Sequence, residues 1–146
     1  MRNYALEAEG GGMELVALIG RILFSYMFVA SGINHFKNRK HMGEYAGSMG
    51  VPAAETAVVV SGAVILAGAT MVVFGILGDL GALLLAAFLI PTAVLMHPFW
   101  KVEDPQMRQM QQINFNKNLA MAGGALALFV LFSTCAPGFT LTSPLF

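Results

Sequence analysis

Six side chains in this sequence could hold a polar headgroup or handle a proton, and the pattern of apolar stretches gathers them at one level: His35, Glu55, His97, Trp100, Lys117 and Asn118. The imidazoles of His35 and His97 and the amide of Asn118 are suited to the carbonyl oxygens of a quinone or a similar small aromatic headgroup, with Trp100 and Phe99 as apolar walls. Lys117 is placed to reach Glu55, as a pair that binds a headgroup or passes a proton. The same two residues also fit an interfacial ion pair, or a lysine snorkelling to the surface. Likewise the histidines fit bonds to water or to carbonyls at the interface. Two His and a carboxylate form a known metal-ligand set, but no HxxxH or ExxH spacing accompanies them, and no metal site is expected.

A second polar group lies where it should cost most. Arg21 sits inside the apolar stretch ELVALIGRILFSYMFVASGINHF, residues 14–36. A charge at the centre of a spanning helix costs at least ~2.5–3.5 kcal/mol, so it faces the bundle interior or reaches for the interface. At ~100° per residue, Glu14, Arg21, Ser25 and Gly32 share one narrow stripe. Such a stripe is a packing or functional face, leaving the Leu, Ile and Phe positions for lipid. Glu14, on the same stripe, and Asp79, at the same end of the molecule, are the expected partners of Arg21.

The elements that must position these groups follow from hydropathy. About 20 apolar residues cross a bilayer, and stretches at about 14–36, 53–77, 80–99 and 114–135 meet that length. The expected architecture is all-α, a transmembrane four-helix antiparallel bundle over residues 14–136, with a flexible polar tail at 1–13 and an apolar tail at 137–146. Residues 42–49 read as a short amphipathic piece, and Gly50-Val51-Pro52 as a turn. Ser61, Gly68 and Gly75, seven apart, predict one close helix–helix seam. Gly78-Asp79 predicts the tight turn of a helical hairpin. Pro91 removes a backbone donor inside the third span and predicts a local kink. Residues 100–113 read as a polar loop whose Gln/Met-rich part forms a short surface helix, and Pro137-Gly138 ends the fourth span.

Composition bounds the class. Of 146 residues 57% are hydrophobic and 11% charged, with a mean hydropathy of +0.70, against about 25% charged in soluble domains. This argues for an integral membrane protein whose first partner is the lipid bilayer. A net charge of zero gives no nucleic-acid surface. The lone Cys135 excludes an internal disulfide, a CxxC redox pair and a cysteine-based zinc cluster. The first apolar stretch is too long for a cleaved leader and contains Arg21, so a retained first helix is expected. Lys37, Arg39, Lys40, Lys101 and Arg108 in the two longer loops place those loops in the cytoplasm and both termini outside. Depth then becomes readable: the six candidates crowd the cytoplasmic mouth, while Glu14, Asp79 and Arg21 belong to the outer end.

These pieces resemble the DoxX family of small four-helix bacterial membrane proteins. The resemblance is carried by R-ILFSYMFVASGINHF from Arg21, by Glu55 opening the second span with its glycines, by TAVLMHPFW ending at Trp100, and by KNLAMAGGALAL from Lys117. It is spread over most of the chain, and it rests on order and spacing. The family is similar to DoxD, a membrane component associated with quinol oxidase and with thiosulfate:quinone oxidoreductase. The resemblance therefore implies a bacterial inner-membrane protein that is a subunit of a redox or respiratory assembly. No haem, flavin or nicotinamide pattern is present, so no cofactor is intrinsic, and a quinone is the one the resemblance admits. Other membrane protein subunits, or further copies of the chain, are the expected partners. Two alternatives stand beside this: a non-catalytic structural or assembly subunit, and a small oligomeric transporter.

Overall fold

The computed structural model describes the backbone of residues 2–135 and 137–146, and their side chains from residue 11 onward. The described residues are helical, in the order α1 (Arg2–Lys37), α2 (Arg39–Ser48), α3 (Ala54–Phe74), α4 (Gly78–Met96) and α5 (Pro105–Thr134), with one 3-10 turn at Phe99–Lys101 between the last two. Four of these helices are long and apolar enough to cross a membrane: Gly11–Lys37, Ala54–Phe74, Gly78–Lys101 and Pro105–Thr134. In hydrocarbon every backbone N–H and C=O must be satisfied internally, which helices do. α1 packs on α3, α3 on α4, α4 on α5, and the short α2 lies against α3.

Several boundaries differ from those read in the sequence. α1 starts at Arg2 and runs through the Gly10-Gly11-Gly12 stretch, upstream of the expected start at 14; Met1 and Ala136 lie outside the described residues. The hairpin turn sits at 75–77 and not at Gly78-Asp79. Gly75 (φ 61°) and Leu77 (φ 46°) take the left-handed conformation there, and Gly78 already opens α4. α4 continues unbroken through Pro91 to Met96. The Gln/Met-rich part of 100–113, read as a short separate surface helix, forms the first turns of α5. Asp104 caps α5 by accepting from Met107 N at 2.8 Å, and Pro105 occupies the first turn, where its missing N–H costs nothing. α5 therefore begins nine residues before 114, and its first turns project beyond the span.

The core explains why small residues are so frequent. Phe28, Ile65, Val72, Leu85, Leu89 and Phe132 interlock with Ala69, Ala82, Ala86, Ala122 and Ala125. Two glycine pairs bring backbones together. A Cβ on Gly32 would lie 3.2 Å from Gly62 O, where α1 crosses α3. A Cβ on Gly81 would lie 2.9 Å from Gly68 O, where α3 meets α4. The expected seam of Ser61, Gly68 and Gly75 is thus divided among three tasks. Gly62, beside Ser61, serves α1; Gly68 serves α4; Gly75 caps the helix.

Residues 137–146 form a strap that folds back over the end of the bundle where the α3–α4 turn lies. Leu141 N donates to Phe74 O and Thr142 N to Gly75 O, each at 3.2 Å. Leu77 N donates to Thr142 Oγ1 at 2.7 Å. The strap's turn is made by Gly138 (φ 57°) and Phe139 (φ 47°).

Candidate functional site

The molecule has two polar ends. At the strap end, Arg21 is fully buried (0% exposed), as are Ser25 one turn on and Asp79 at the start of α4. Arg21 Nη1 donates to Gly138 O at 3.1 Å and Nη2 to Phe139 O at 2.9 Å. Its guanidinium carbon stands 5.6 Å from the centre of the Phe132 ring, a cation–π distance. Asp79 Oδ2 accepts from Leu145 N at 2.6 Å and Phe146 N at 2.7 Å. The expected pairing of Arg21 with Glu14 or Asp79 is therefore replaced by two separate attachments to the strap. The physical reason is that the strap's backbone offers carbonyls to the cation and amides to the carboxylate at once. Glu14 packs against Gly138, where a Cβ would lie 2.5 Å from the Glu14 carboxyl carbon. Arg21 Nε, Ser25 Oγ and Asp79 Oδ1 remain without a partner among the described residues. A cavity of about 410 Å³ lies under the strap, between Pro137, Thr140–Pro144, Gly78 and Phe132.

The opposite end is basic, and here α2, the end of α4 and the start of α5 meet. Tyr45 OH donates to Met96 O at 3.0 Å and accepts from Gln111 Nε2 at 3.3 Å. Gln111 Oε1 lies 2.7 Å from His97 Nδ1. An amide oxygen only accepts, so Nδ1 is the donor of this bond, and Nε2 makes no bond among the described residues. Next to His97 three aromatic rings meet edge to face: Phe99–Trp100 at 5.1 Å, Phe99–Phe115 at 5.4 Å and Trp100–Phe115 at 5.8 Å. Such T-shaped contacts hold the rings as a wall.

The remaining candidates stand apart. Glu55 pairs with Arg39 at 3.1 Å, on half-exposed side chains, and Lys117 Nζ donates to Asn114 Oδ1 at 3.3 Å. The Glu55–Lys117 pair does not form, because α2 delivers Arg39 to Glu55 and α5 supplies Lys117 with a neighbour one turn away. His35 is buried between helices, its Nδ1 2.7 Å from Ser31 O and its ring edge-on to Phe88 at 6.1 Å. Its Cβ lies 2.8 Å from where a Cβ on Gly62 would stand, so it is a packing residue of the α1–α3 crossing. Asn118 is buried on α5. His97 thus belongs to the Gln111–Tyr45 network and Trp100 to the separate cluster with Phe99 and Phe115, and the other four candidates lie outside both. Among the described residues no three His, Cys, Asp or Glu side chains converge on a common point.

Residues that the sequence did not single out complete both ends. Tyr45 and Gln111 orient His97, yet neither carries a motif, and their only trace is their place in an amphipathic piece and a Gln-rich stretch. Gly138 and Phe139 engage Arg21 through backbone carbonyls, which no side-chain pattern can reveal.

The DoxX family model matches residues 16–98, the portion containing α2, α3, α4, His97 and most of α1. The chain belongs to the DoxX family. It is 26% identical over 129 residues to the inner membrane protein YphA of Escherichia coli (strain K12), covering 88% of this chain and 89% of that protein. No solved structure matches it significantly. This DoxX protein is accordingly a multi-pass membrane protein, with four apolar helices against the bilayer.

Proposed function

We propose that the protein is a membrane subunit of a quinone-linked redox or respiratory assembly, with the basic end contacting the quinone headgroup. The observation that carries this reading is the relay Tyr45–Gln111–His97, which fixes the His97 ring through Nδ1 and leaves Nε2 without a bond among the described residues, two residues before the Phe99–Trp100–Phe115 wall in the chain. With a quinone bound here, His97 would exchange a proton with a headgroup hydroxyl at Nε2, and the aromatic wall would hold the headgroup ring. A bound quinone supplies two-electron carrier chemistry. The chain brings no electron-carrier motif of its own, so the electrons pass to or from partner subunits. The concentration of Lys and Arg at this end favours its facing the cytoplasm, with the termini outside. The inner-membrane location of YphA supports the same membrane for this chain.

Purification of the full chain in mild detergent, followed by native mass spectrometry and quinone extraction, tests the proposal. A co-purifying quinone is expected, reduced at least tenfold in His97→Ala and unchanged in Lys117→Ala, since Lys117 lies outside the relay. Equal quinone in wild type and His97→Ala removes the headgroup site. A stoichiometric complex in which the partner retains all the quinone points instead to an assembly subunit.

A further inference from the structure

We propose that the elbow between α1 and α2 is a binding site for one anionic phospholipid, its headgroup phosphate held by Lys37, Arg39 and Lys40. A cavity of about 460 Å³ opens there, lined by the six consecutive residues Phe36, Lys37, Asn38, Arg39, Lys40 and His41. Three of them are permanent cations. The one ion pair among the described residues binds Arg39 to Glu55, so Lys37 and Lys40 have no carboxylate partner there. Asn38 also lines the cavity, with its Nδ2 donating to Asn34 Oδ1 at 2.6 Å.

The depth of the cavity favours a lipid. The membrane-spanning portion of α1 ends at Lys37, so the cavity lies where hydrocarbon gives way to headgroups. An apolar track leads into it. Ile22, Tyr26, Val29, Ile33 and Phe36 are all exposed on one face of α1, at helical spacing, and Phe36 also lines the cavity. A track of this kind alone is ordinary lipid-facing surface. Ending in a cationic cavity, it matches an acyl chain joined to a phosphate, the arrangement by which basic pockets beside spanning helices select anionic lipids. A free phosphate would have no use for the track, and a neutral zwitterionic lipid would gain little from two unpaired lysines. The elbow shares no residue with the His97 relay, so the two proposals stand or fall separately.

The experiment uses the full chain in a neutral detergent, with equal amounts of a phosphatidylglycerol and a phosphatidylcholine of identical acyl chains, read by native mass spectrometry. Preferential retention of one phosphatidylglycerol is expected. Each cation at a charged lipid surface contributes roughly a fivefold preference, so Lys37→Gln with Lys40→Gln should lower it by about tenfold or more. Lys101→Gln with Arg108→Gln, at the same end but outside the cavity, should leave it unchanged. Glycerol 3-phosphate should fail to displace the lipid. Equal retention of the two lipids, an unaltered preference in the Lys37/Lys40 variant, equal loss in the Lys101/Arg108 variant, or full displacement by glycerol 3-phosphate would each overturn the assignment. All four positions are exposed, so unchanged thermal unfolding of both variants is the accompanying control.

Discussion

The two ends of this bundle solve the same problem with different materials. At the strap end Arg21 and Asp79 are wholly buried and bonded to backbone: Arg21 to the carbonyls of Gly138 and Phe139, Asp79 to the amides of Leu145 and Phe146. At the basic end the bonded groups are half-buried or exposed and bonded to one another, as in His97–Gln111–Tyr45 and Arg39–Glu55, while the buried His35 and Asn118 take no part in those bonds. A buried charge that loses its partner costs far more than an exposed one, because water cannot replace the lost bond. The difference teaches that the strap end is built for holding, and that groups able to exchange partners with a ligand belong to the basic end.

The contrast can be broken most directly at Asp79. Asp79→Ala leaves the Leu145 and Phe146 amides without their acceptor and should destabilise the protein by about 3 kcal/mol or more. It should also free the strap, read as faster proteolysis within 137–146 and a lower unfolding temperature in detergent. Asp79→Asn keeps one acceptor oxygen and should lose less. Arg21→Lys is next: a point-like ammonium cannot serve two carbonyls as a planar fork does, and a loss of roughly 1–2 kcal/mol is expected from the same unfolding measurement. Tyr45→Phe at the basic end should cost only about 1 kcal/mol. It should nonetheless release Gln111, and the His97 ring protons followed by NMR should show a second ring environment. Arg39→Gln, which breaks an exposed ion pair, should cost below about 0.5 kcal/mol. A loss at Arg39 as large as that at Asp79 would erase the distinction between the ends.

The number of spans and the presence of long apolar helices were legible in the sequence, because lipid forces such helices and penalises charges between them. The same rule made Arg21 conspicuous, but not its partner. Opposite charge pointed to Glu14 or Asp79, whereas the structure uses backbone groups of the strap, which carry no residue-type signature. Level alone puts Lys117 within reach of Glu55 in the sequence. Two residues at one depth can still face different neighbours, and α2 decided that Glu55 meets Arg39. The sequence does not show where α5 begins, because residues 105–113 are polar and hydropathy reports the span and not the helix that extends beyond it.

By itself the sequence determined the solvent and the all-helical architecture, since these depend on composition and period along one chain. Only the tertiary structure decided which glycine serves which neighbour, that His97 is held by Gln111 and Tyr45, and that the strap answers both buried charges. Those outcomes depend on rotation and height between helices, to which a pattern along one helix is blind, and on backbone groups that are alike in every residue.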